Sequence, residues 1–125
     1  MDLETAIKGM LDAQDKLRTK NGTSDPDAIS EQMQRLAQYT GAVELHLATF
    51  ERDYEIRLGK KLGEYITGGS SASAAESRVR FEMAEEKGQI KYLTRIVASA
   101  WRQVGVAQSR HNHLTREKNI GRVIT

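Results

Sequence analysis

The stretch PDAISEQMQRLAQYTGAVELHLATFERDYEIRLGKKLGEYITG, residues 26–68, carries the chain's single proline at its first position. Asp25 precedes it, the pairing of an N-cap with a proline in the first helical turn. Inside the stretch Ile29, Met33, Leu36, Thr40, Val43, Leu47, Phe50 and Tyr54 recur at alternating intervals of four and three. That is the heptad seam of a helix packed lengthwise on another helix. Beyond Tyr54 the stripe continues at Leu58, Leu62 and Tyr65, and these consecutive fours slip the seam. The supercoil is expected to loosen there, where Gly59 and Gly63 also fall.

Downstream, GGSSASAAES is the one low-complexity patch, and it reads as a flexible turn over residues 68–73. Ser73 with Glu76 matches a capping box that opens a third helix over residues 74–118. Its seam runs through Val79, Met83, Ile90, Leu93, Val97, Ala100, Val104, Ala107 and Leu114, with Glu86 and His111 at the two remaining positions. The helix is expected to fray near Asn119, leaving a tail over 119–125. Upstream, Leu3, Ile7, Met10 and Leu17 form the stripe of a short amphipathic helix over residues 2–18. It ends in RTKNGTSD, where Asn21 and Gly22 form a turn.

The expected fold is all-α: one helical domain over 1–125, a short N-terminal helix plus a long antiparallel coiled-coil-like helical hairpin. The composition agrees, with 38% hydrophobic residues pointing to a narrow core. Helices of about forty residues are each about 60 Å long. A lone hairpin of that length leaves the flanks of its seams open, so the short helix or further copies must close them. A homo-oligomer is the expectation.

With no cysteine, disulfides and thiolate metal sites are excluded, which fits a reducing compartment. The opening MDLETAIKGMLDAQDK has acids where a signal peptide needs bases, and the longest apolar stretch, Ile96 to Trp101, is too short to span a bilayer. The reading is a cytoplasmic protein with no membrane partner.

Charge is unevenly placed. Residues 1–86 carry 11 Lys and Arg against 16 Asp and Glu, a net −5, whereas residues 87–125 carry 8 against 1, a net +7. Such asymmetry points to a polyanionic partner for the basic part, or to pairing with an acidic part, including that of another copy. On the third helix Lys87, Lys91 and Arg95 lie one turn apart on one face, Arg102 continues the row, and Arg110 lies further along the same basic helix. Tyr92 and Trp101 lie close to that row. Cations neutralise phosphates, and an exposed aromatic gives an unpaired base a surface to stack on. The competing reading makes both aromatics packing residues beside the seam. A second basic cluster, Arg57, Lys60 and Lys61, sits near the turn, beside the two glycines.

Other chemistry finds little footing. The glycine-rich turn has neither the preceding strand nor the terminal Lys-Ser/Thr of a phosphate loop. His111 and His113, two apart on a helix, point in different directions, and no acidic or cysteine partner is placed beside them, so no metal site is expected. Glu85 and Glu86 are adjacent on a helix and the serines cluster in a turn, so neither paired carboxylates across a pocket nor a nucleophile with its base can be placed. No catalytic residue and no cofactor are expected; the chain reads as no enzyme.

The segment Lys60-Lys61-Leu62-Gly63-Glu64-Tyr65-Ile66-Thr67-Gly68, then a small-residue loop, then a long helix containing AEEKGQIKYLTRIVASAW, resembles the UvsY-type recombination mediators of tailed phages. These are small helical proteins that load a RecA-like recombinase onto single-stranded DNA. The likeness spans roughly residues 45–118. It implies that Lys60 and Lys61 contact single-stranded DNA, that the chain assembles into rings, and that it binds the recombinase and loosens the hold of single-strand binding protein. The family has a further basic residue where this chain has Leu62, which weakens that contact or displaces it to Arg57.

Two functions follow as expectations. The first is a non-catalytic, oligomeric recombination mediator that grips single-stranded DNA. The second is a structural or adaptor coiled coil that acts through protein contacts only.

Overall fold

The computed structural model describes residues 1–19 and 25–124, with side chains through residue 121. The expected turn at Asn21 and Gly22 lies outside the described residues. The regular elements among them are helices: α1 (Leu3–Arg18), α2 (Pro26–Thr67), α3 (Ala72–Glu82) and α4 (Ala84–Ile124). Asp2 caps α1 by accepting the Thr5 N–H at 2.7 Å, and Asp25 accepts the Asp27 N–H at 3.1 Å ahead of Pro26. The stretch from Asn119, read above as a tail, is helical to Ile124.

The chain divides into two compact units: Met1–Glu44 with Ile96–Thr125, and Leu45–Arg95. In the first unit Ala6, Met10, Ala13 and Leu17 of α1 are buried, together with Ile29, Leu36, Thr40 and Val43 of α2 and Val97, Ala100 and Ala107 of α4. The buried stripe of α1 is offset from the expected one: Leu3 and Ile7 lie only half-buried at its edge while two alanines sit at its centre. Small residues there bring the helices close. Gly9 of α1 lies against the Tyr39 ring of α2, and Gln103 of α4 donates its amide N–H to the Gln14 carbonyl of α1 at 2.9 Å. The short helix therefore packs on its own chain. Thr40, fully buried, donates its hydroxyl to the Leu36 carbonyl at 2.6 Å, so its polar atom is satisfied inside its own helix.

In the second unit the seam is thinner. Leu47, Ala75, Val79, Met83 and Leu93 are buried, while Tyr54, Leu58, Leu62, Tyr65 and Ile90 are half-covered and Phe50 is 37% exposed. Cross-helix contacts step by four in opposite senses: Arg57 meets Glu86, Lys61 meets Glu82, and the Arg78 guanidinium lies over the Tyr65 ring. The turn between them is closed by its own backbone. Gly69 N–H donates to the Ile66 carbonyl at 3.1 Å and Ser70 N–H to the Tyr65 carbonyl at 3.0 Å. This is a Schellman closure, and its pivot, Gly69, has φ +101°, a conformation open to glycine and strained for any residue with a Cβ. Ser71 then caps α3 by accepting the Ala74 N–H at 3.2 Å, two residues ahead of the expected Ser73.

The expected single helix over 74–118 is two helices. At Met83 the backbone leaves α geometry (φ −104°, ψ 13°) and re-enters at Ala84. Neither proline nor glycine occupies residues 80–86, so the break has no sequence signature of the usual kind. It falls at a side chain 1% exposed. The ladder survives on both sides, with Met83 N–H on the Val79 carbonyl at 2.9 Å and Lys87 N–H on the Met83 carbonyl at 3.1 Å.

A methyl group at Gly9 would overlap the Tyr39 ring. Gly9→Ala should therefore lower stability by about 1–3 kcal/mol through overpacking. In a Tyr39→Ala background the same change should raise stability by up to about 1 kcal/mol, the helix propensity of alanine over glycine. Thermal unfolding of the four chains checks the change of sign.

Candidate nucleic-acid interface

The basic residues divide into those already engaged and those that are not. On α2, Arg57 pairs with Glu86 at 2.7 Å and Lys61 with Glu82 at 3.1 Å. Glu82 also accepts the Tyr65 hydroxyl, so one carboxylate joins two residues of α2. Arg78 of α3 stacks 5.1 Å from the Tyr65 ring centroid, completing a cluster of alternating sign. Of the cluster that the family resemblance singles out, Arg57 and Lys61 are thus engaged across the helices, and Lys60 alone stands exposed without an ion pair among the described residues.

The other side of this unit is different. Lys87, Lys91 and Arg95 of α4 are exposed and form no ion pair with a described residue, and the same holds for Arg80 of α3. Lys91 and Arg95 lie across α4 from buried Leu93, while Arg80 and Lys87, three residues before and four after buried Met83, stand at the border of the packed side. Phe81, 85% exposed, and Tyr92, 54% exposed, flank the same row. Arg80 and Phe81 were not among the residues singled out from sequence. The signal was present: they follow the seam residue Val79 and so fall off the heptad, which leaves Phe81 an exposed aromatic.

The remaining candidates lie in the first unit. Trp101 donates its indole N–H to the Glu44 carboxylate, which fixes the ring on α2 and sets a negative charge at its edge. It is 40% exposed. Arg102 is exposed, and Arg110 stands at a shallow cleft of about 160 Å³ beside Leu17, Ile29 and Val106. Trp101 is thus engaged with its own unit, whereas Phe81 and Tyr92 are the more exposed rings.

Three amides of the glycine-rich turn are engaged within the fold. Those of Gly68, Gly69 and Ser70 all donate to carbonyls of α2. No group of three His, Asp or Glu among the described residues is arranged to hold a metal ion. His113 has an acidic neighbour that the sequence reading overlooked, Glu117, at 3.0 Å. An open groove of about 400 Å³ runs beside Phe50, Tyr54, Met83 and Ile90 in the second unit. Of its charged members Asp53, Arg57 and Glu86, the last two bind each other, and the second Glu86 oxygen is buried without a hydrogen-bond partner among the described residues. No described helix is long and apolar enough to cross a membrane. No family model, curated protein or solved structure matches the chain.

The Glu82 cluster makes a pH-dependent contact. The hydrogen bond to Glu82 raises the Tyr65 phenol above its ordinary value of 10.0, and the bonds from Tyr65 and then Lys61 lower Glu82 below 4.5. A lowered carboxylate stabilises the fold above its unfolded value and loses that effect as pH falls through the folded one; a raised phenol stabilises below its unfolded value and loses it as pH rises. The melting temperature of wild type should therefore exceed that of Glu82→Gln between these two ordinary values, and the difference should close at acid pH and again in strong alkali. Absorbance titration of the tyrosines should show one phenol ionising later than the others in wild type and earlier in Glu82→Gln.

Proposed function

We propose that this chain is a non-catalytic single-stranded DNA-binding protein that grips the phosphate backbone along the outer face of α3 and α4. Support comes from the row Arg80, Lys87, Lys91 and Arg95, exposed and without an ion pair to a described residue, flanked by the exposed rings of Phe81 and Tyr92. Unengaged cations beside exposed aromatics are what an extended polyanion with unstacked bases requires. A duplex keeps its bases stacked and offers those rings nothing to lie on. Arg57 and Lys61 act as secondary contacts, released from Glu86 and Glu82 only when a phosphate replaces the carboxylate.

The resemblance in the segment from Lys60 to Gly68 carries the reading further, to a recombination mediator. In that role the protein helps load a RecA-like recombinase and loosens single-strand binding protein. It works in the cytoplasm as a homo-oligomer whose long helices form an antiparallel coiled-coil-like hairpin. The second reading is an adaptor coiled coil that acts through protein contacts alone. The large apolar side chains left exposed on α2, Leu45, Ile56 and Ile66, favour it.

Fluorescence anisotropy with a labelled oligonucleotide tests the proposal. Four phosphate contacts predict that log K falls with log salt at a slope of about −3, from about −0.7 per contact on a single strand. Lys91→Ala should reduce that slope by about 0.7. Phe81→Ala should weaken binding by about 1–3 kcal/mol with the slope unchanged. Absence of binding at low salt, or a larger loss from Arg57→Ala than from Lys91→Ala, refutes the assignment.

A further inference from the structure

A second heptad runs along the back of α2 within the unit Leu45–Arg95. Residues 45, 49, 52, 56, 59, 63 and 66 alternate by four and three, the spacing of a seam, and all of them are exposed. Three are large and apolar: Leu45 at 74%, Ile56 at 58% and Ile66 at 50%. Gly59 and Gly63 lie on the same stripe with open space where a Cβ would stand. The face is about 30 Å long at 1.5 Å per residue. Most of it points away from the side of α2 that meets α3 and α4, which Leu47, Arg57 and Lys61 occupy; Ile56 and flanking Asp53 also border the open groove beside Met83 and Ile90.

We infer that this face is an isologous interface, on which α2 of a second copy of the chain packs antiparallel. The register follows from the residues. A parallel, in-register pairing would set Arg52 against Arg52 in the seam and leave a void where Gly59 met Gly59. Running the second helix the other way, with position 56 opposite 59, 52 opposite 63 and 49 opposite 66, removes both faults. Ile56 fills the space over the other copy's Gly59, and Arg52 lies across Gly63, which has no side chain to oppose it. The flanking charges agree. Asp53 and Lys60 take the same flanking position one heptad apart, and the antiparallel register brings each to the other twice across the two-fold axis. Both are exposed, and neither forms an ion pair with a described residue. This deepens the homo-oligomer part of the proposal above, and it assigns Lys60 to the other copy rather than to phosphate.

The test needs no nucleic acid, so its failure leaves DNA binding standing, and failure to bind DNA leaves it standing. Sedimentation equilibrium of the full chain should give a self-associating species that Ile56→Glu reduces at least tenfold in association constant, with helicity by circular dichroism unchanged. Asp53→Lys and Lys60→Asp should each weaken association, and the double exchange should restore it. Because the chain has no cysteine, single introduced thiols report the register. Thr49→Cys and Ile66→Cys chains, mixed and mildly oxidised, should form the mixed disulfide dimer, while each alone should not cross-link. A monomer at all concentrations, a Thr49→Cys homodimer, or association unmoved by Ile56→Glu overturns the inference.

Discussion

Glu82 and Glu86, one helical turn apart on either side of buried Met83, set the pairing of the second unit. Each reaches across to α2, Glu82 to Lys61 and Tyr65, Glu86 to Arg57, and the spacing of four on both helices admits this register and penalises its neighbours. A slip by one residue would lose all three contacts together. The apolar seam beneath is too thin here to impose register unaided, since only five apolar side chains of the unit are buried. Half-exposed ion pairs contribute little stability, at most about 1 kcal/mol each. Their effect is specificity: they choose among alignments that hydrophobic burial ranks nearly equally.

The same carboxylates decide which cations remain for a partner. The acidic part of the sequence neutralises Arg57 and Lys61, so the cluster that stands out on inspection, Arg57-Lys60-Lys61, is largely internal to the fold. The row on α3 and α4 is exposed and forms no ion pair with a described residue. Net charge by segment foreshadowed this, but only pairing across helices shows which charges are left over. The distinction is one of degree, since an exposed pair yields to a phosphate at a cost of about 1 kcal/mol or less.

Much of the fold was legible in residues 26–68, where heptad spacing, the Asp25-Pro26 start and the closing glycines all give one helix. The break at Met83 was not, because it arises from packing at a residue that suits a helix interior and leaves no breaker behind. The face of α1 was misread for a related reason: counting large apolar residues favours Leu3 and Ile7, whereas close packing against Tyr39 and Gln103 selects the alanine side. At the candidate interface, Lys87, Lys91, Arg95 and Tyr92 were readable as a helical row, but exposure separates Phe81 from Trp101, and exposure depends on Glu44, distant in sequence from Trp101. Periodicity reports what a helix offers. It does not report which offers the rest of the chain accepts.

The second unit thus presents two unlike faces, an apolar stripe with glycine gaps on α2 and a cationic row with exposed rings on α3 and α4. Their separation has a mechanical consequence. A surface that both self-associates and binds a polyanion must choose between them, and DNA would then dissociate the oligomer. Faces on opposite helices impose no such competition. Two copies joined through α2 would hold two cationic rows outward, and a strand held by one row raises the local concentration of DNA at the next. The gain in avidity then depends on strand length and not on any new contact. Under the proposed function, such an arrangement would bind long strands in preference to short ones, as expected of a row of point charges and exposed rings.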